Sequence, residues 1–185
     1  MDMTPDAAAQ IPPLSPSAQG QARSLILLAV ITLAAGCLRW AQLDESQWLD
    51  ELHTAWAVAG SPAQVPARPM IGNQSPWYFY LPQAATAIVG MSEVGLRLPS
   101  FAAGMALVVL VYFVTRKWSG SALAALTAAA LAGIDRHCIF YSQEARPYAF
   151  VQLVGLADVL LFCSLWVAPS TPRRAGFVAA TVLLL

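Results

Sequence analysis

Residues 46–56 read SQWLDELHTAW. An acid pair, Asp50 and Glu51, stands between two tryptophans just past the first long apolar run. A hydroxyl is a weak nucleophile, and a positioned carboxylate can take its proton as it attacks. The same pair can equally do no more than solvate a loop. Residues 141–150 read YSQEARPYAF, with Glu144 and Arg146 just ahead of Pro147, a residue suited to opening a helix. A guanidinium at a helix entrance can grip a phosphate through parallel N–H donors. The alternative is that Glu144 and Arg146 satisfy each other or the helix end. Arg97, in GLRLPS at residues 95–100, offers the same choice between a phosphate contact and an ordinary interfacial arginine. His53 and His137 have no ligand spacing, so they define no metal site. Cys37, Cys138 and Cys163 are scattered and fit neither a disulfide framework nor a zinc pattern.

The elements that must position these groups belong to a membrane. Of 185 residues, 58% are hydrophobic and 11% charged, with a mean hydropathy of +0.59. Soluble domains carry about 25% charged residues. Ten basic and ten acidic residues give a net charge of zero, which lacks the basic excess of a nucleic-acid binder. A spanning helix needs about 20 mostly apolar residues. The pattern predicts an all-α, polytopic helical bundle with spans over 24–43, 98–115, 119–136 and 147–167. A further apolar run, 175–185, is too short to cross, so the bundle reads as C-terminally truncated. Asp158 falls inside the fourth span, where an unpaired acid is costly; a partner on a helix beyond the chain would account for it. Arg39 lies near the end of the first span, where it can snorkel. Residues 1–22 are rich in Pro, Ala and Gln and read as a disordered cytoplasmic tail preceding a 23–185 membrane domain. A signal peptide over 24–38 is disfavoured, because a single arginine, Arg23, precedes it where a basic region is needed.

Residues 76–91 are apolar but short and contain Pro82. Cytoplasmic loops collect Lys and Arg. If 76–91 does not cross, then Arg23, Arg116–Lys117 and Arg173–Arg174 all fall on one side. That arrangement makes 76–91 interfacial, anchored by Trp77, Tyr78 and Tyr80. It leaves 44–97 as an extracytoplasmic loop and puts Asp50, Glu51, Arg97, Glu144 and Arg146 on one outer surface. Residues 48–59 fit an amphipathic interfacial helix, with Trp48, Leu52 and Trp56 on one face and Asp50, His53, Thr54 and Ala57 on another.

In order and spacing, SQWLDELHTAWAV, the 73–120 stretch and FYSQEARPYAF together resemble the front of the multi-spanning GT-C-type glycosyltransferases. The likeness is to the bacterial protein-mannosyltransferase-like group that includes the aminoarabinose transferase of lipid A. It covers about residues 38–167. Members commonly show an acid pair after a tryptophan in the first outer loop, a Pro/Tyr-rich stretch, an SE…RLPS segment and an EAR-x-Y segment. Asp50–Glu51, residues 76–81, Glu93 with residues 97–100, and residues 144–148 match these in turn. The departure is NQSPWYFY, where the family more often has a His or Lys and two prolines; it bears on donor or acceptor preference. The resemblance implies transfer of a sugar from a polyprenyl-phosphate donor to a hydroxyl of a protein, lipid or glycan acceptor, at the outer face of a plasma (inner) membrane. It implies Asp50 as general base, Glu51 as an orienting group, Arg97 and Arg146 as donor or phosphate contacts, and Glu144 as a positioning residue or a ligand of a divalent cation. No cofactor is required, and some relatives use a divalent cation. The competing readings are a transporter or structural membrane protein, which would show broken helices in corresponding halves, and an inactive fragment of the glycosyltransferase.

Overall fold

A computed structural model describes residues 18–72, 74–167 and 170–184. Among them every regular element is a helix: α1 Ala18–Trp40, α2 Leu49–Val58, α3 Arg68–Ile71, a 3₁₀ turn Trp77–Phe79, α4 Tyr80–Val89, α5 Glu93–Ser119, α6 Ala122–Ile134, α7 Arg136–Ser142, α8 Tyr148–Val167 and α9 Thr171–Leu184. Three of these, α1, α5 and α8, are long and apolar enough to cross a membrane. A fourth crossing exists if α6 and α7 act together across their bend of 58°. The chain is therefore an all-helical protein of membrane type.

Several boundaries differ from expectation. The expected tail 1–22 falls outside the described residues up to 17, but residues 18–22 already belong to α1. The 98–115 span is the middle of a longer helix, α5. Ser92 caps that helix by accepting from the Gly95 amide at 3.1 Å, and Gly120 ends it in a left-handed conformation at φ 67°. The expected span over 119–136 is broken. α6 has 13 residues, a length of about 20 Å, and Asp135 then leaves the helix and caps α7, accepting from the Cys138 amide at 2.8 Å. The break falls on Asp135 and Arg136, the last residues of the expected span, and a hydropathy average over the whole segment does not register them. The 76–91 segment forms the 3₁₀ turn and the 10-residue α4, about 15 Å long, too short to span.

The break between α6 and α7 exposes carbonyls that nothing within the helix can satisfy. Arg39 covers them. Its Nη1 donates to the Gly133 carbonyl at 2.7 Å and to Ala35 at 3.1 Å, its Nη2 to Ala132 at 3.2 Å and its Nε to the Ser142 hydroxyl at 3.2 Å. Arg39 is fully buried, so the expectation of a snorkelling arginine gives way to a helix-end clamp. Small residues allow the approach: Ala125, Ala129 and Gly133 form a buried stripe on α6, and Gly133 faces Ala35 of α1. Leu28, Val108 and Tyr112 complete this inner core. Asp158 also finds a partner inside the described chain, because Thr181 of α9 donates to it at 3.1 Å.

A second core lies at the other end of the central helix α5. Ala57 and Val58 of α2, Val65, Tyr78, Phe79, Leu96 and Ala145 pack together. It joins the 44–92 segment to the start of α5 and to the turn before α8.

Candidate functional site

Glu51 and Arg97 make a buried ion pair within that second core. Arg97 Nε donates to Glu51 Oε1 at 2.8 Å and Nη2 to Oε2 at 2.5 Å, with the two residues 3% and 0% exposed. Arg97 Nη1 and Nη2 also donate to the carbonyls of Gln42, Leu43, Glu45 and Ser46. All five N–H groups of a guanidinium are thereby engaged. Arg97 has no donor left for a phosphate, which corrects its expected role. Burial works to raise the Glu51 carboxyl, but hydrogen bonds from Arg97 and the Ala145 amide, with the Arg97 charge, hold it below the ordinary carboxylate value.

Glu51 ties three segments into one unit. Its Oε1 accepts from the Ala145 amide at 2.7 Å, and its Oε2 from the Trp48 amide at 3.3 Å, which closes the first turn of α2. From α5, one turn beyond Arg97, Ser100 donates to the Arg146 carbonyl at 3.0 Å. The hydroxyl of Ser100 has a single proton, so the fully buried Tyr78 donates to it at 2.7 Å. Burial pushes the Tyr78 phenol far above its ordinary value. The acid-pair, RLPS and EAR segments, remote in sequence, are therefore adjacent.

Asp50 stands apart from this lock. It is exposed, and its carboxylate has no hydrogen-bond partner among the described residues. Its carbonyl accepts from Arg146 Nη1 at 3.1 Å. Asp50 and Arg146 line one cleft of about 590 Å³, with His53, Trp56, Gly72 and Gln74. Arg146 is 8% exposed. With its amide oxygen turned to the guanidinium, Gln74 accepts from Nη1 at 3.1 Å and Nη2 at 2.7 Å. No carboxylate lies within ion-pair distance of Arg146 among the described residues. Its Nε and one Nη2 hydrogen have no partner among them. His53 adds two buried ring nitrogens that are also unpartnered.

Glu144 does not join Asp50 and Arg146. It lines a separate cleft of about 290 Å³, which Arg97 also lines, beside Trp48 and Phe140. Burial, and next the Glu51 charge, push the Glu144 carboxyl above its ordinary value against the pull of Arg146. Among the described residues no three His, Cys, Asp or Glu side chains converge as a metal set.

Sequence reasoning missed three contributors. Ser100 and Gln74 carry no titratable group and gave no chemical signal. Arg68 stacks over Trp56 at 5.0 Å and donates to the Trp56 carbonyl at 2.6 Å, bracing the cleft rim. No protein-family model, curated protein or solved structure matches the chain.

Proposed function

We propose that the chain carries the site of a membrane glycosyltransferase that moves a sugar from a polyprenyl-phosphate donor to an acceptor hydroxyl on the extracytoplasmic side. The observation that carries this reading is the pairing, in one cleft, of an exposed acid with unspent oxygens and a buried guanidinium with unspent N–H groups. The Asp50 carboxylate takes the proton of the acceptor hydroxyl as that oxygen bonds to the anomeric carbon. The bond from that carbon to the phosphate oxygen breaks, and its electron pair leaves with the polyprenyl phosphate. Arg146 offsets the charge that develops there. Glu51 and Arg97 hold α2 against α5, and so set where Asp50 sits. The motif order described above supports the donor class, and the Arg23, Arg116–Lys117 and Arg173–Arg174 distribution supports the orientation.

The test is sugar transfer in membranes containing the full-length protein. Asp50→Asn abolishes transfer while the protein's membrane level holds. Transfer retained at the parent rate returns Asp50 to loop solvation and overturns the assignment.

A further inference from the structure

The cleft lined by Asp50 and Arg146 and the cleft lined by Arg97 and Glu144 differ in charge chemistry. One offers the unspent guanidinium of Arg146 and suits an anion. The other presents two carboxylates, Glu45 and Glu144, with the amides of Gln42 and Gln47, and no cation with a free donor, because Arg97 is saturated. An anion is repelled there. None of these four side chains makes a hydrogen bond among the described residues, so their donors and acceptors are unspent. Trp48 and Phe140 flank them, 58% and 41% exposed and packed edge to face with ring centroids 6.1 Å apart.

We propose that this second cleft is a saccharide subsite that seats a neutral sugar of the acceptor. A sugar ring has vicinal hydroxyls that both donate and accept, and carboxylates and amides can bridge such pairs. It also has an apolar C–H face, which a solvent-exposed aromatic ring covers well. At about 290 Å³ the cleft lies at the small end of ligand pockets, about 300–1,000 Å³, which suits a single ring. Its position fits the reaction. Trp48 lines this cleft while its chain neighbours Leu49 and Asp50 line the other, so a sugar held here ends beside the base. The assignment rests on the glycosyltransferase reading for the word acceptor, but the binding itself does not.

The experiment is saturation-transfer NMR on the full chain in lipid nanodiscs free of sugar-based detergent, with mannobiose, maltotriose and chitobiose as probes. At least one probe shows transfer to its ring C–H protons. Trp48→Ala weakens that binding about fivefold, as expected for loss of an aromatic contact of about 1 kcal/mol. Gln47→Ala, at a side chain with no internal hydrogen bond, weakens it independently, so a misfolded tryptophan variant does not decide the matter. The subsite is overturned if no probe binds, if both variants bind as the parent does, or if inorganic phosphate or a lysine-rich peptide displaces the sugar. Binding through Trp48 without sugar transfer keeps the subsite and sinks the reaction. Transfer that is indifferent to both variants sinks the subsite alone.

Discussion

Asp50 and Glu51 are neighbours with opposite fates, and helix geometry is the reason. Successive residues on a helix point about 100° apart, so one acid can face the core while the next faces the cleft. Glu51 shares its face with Thr54 and Val58, both buried, whereas Asp50 is left outside. The stability of the chain discriminates them. Removing one member of a buried ion pair leaves the other uncompensated, so Glu51→Gln costs about 3–5 kcal/mol, whereas Asp50→Asn stays within about 0.5 kcal/mol. Denaturation of the purified chain in nanodiscs measures both, and equal effects would contradict the division of roles. The sign for pH follows from the lowered Glu51 carboxyl. Its contribution is present above the ordinary value of about 4.3 and is lost as pH falls through its lower folded value. The melting temperature of the parent chain therefore drops in acid more steeply than that of Glu51→Gln.

At the scale of elements, the break between α6 and α7 sets where the EAR segment arrives. A helix continuing through Asp135 would carry residues 143–146 away from α2. The bend turns them back toward α5 and the end of α1, where Gln143 donates to the α1 carbonyls of Leu38 and Arg39 at 3.1 and 3.2 Å. This approach of α7 to α5 requires Gly104. A methyl group there would lie 1.9 Å from the Ser142 hydroxyl and 2.8 Å from its Cβ. Gly104→Ala should cost about 1–3 kcal/mol through overpacking. Gly155→Ala in α8 meets nothing within 4 Å, so it should be neutral or stabilise by up to about 1 kcal/mol, the usual helix preference. Paired thermal melts decide this, and a Gly104→Ala variant as stable as the parent would show that α7 is not seated there.

For the whole molecule, the clefts, the ion pair and α2 gather where α1 ends and α5 begins, whereas Arg116–Lys117 close α5 at its other end. The proposed orientation, with the site outside the cell, rests on the positive-inside tendency. In a variant without native cysteines, an impermeant thiol reagent should label Ser61→Cys in intact cells but not Ser170→Cys. Labelling of Ser170→Cys alone would invert the topology. The exposed apolar residues Leu49, Leu52 and Trp56 on α2, with Met70 and Ile71 on α3, suit contact with a lipid surface at the same end.

Hydropathy and charge alone were enough for the all-helical membrane class, the long apolar helices α1, α5 and α8, and the short segment at 76–91. These follow from composition averaged over many residues, where single contacts matter little. The motifs also marked the segments that meet, because a chain needs special residues where helices enter and leave a shared surface. What only the tertiary structure decided was the role of each charge. Arg97 and Arg146 look alike in sequence, yet one has every N–H occupied and the other keeps two unspent. Glu144 and Arg146 are two residues apart and line different clefts. Arg39 and Asp158, opposite charges in apolar runs, each close onto a partner supplied by another helix. Whether a charge is spent or free depends on which groups distant segments bring to it, and no local pattern records that.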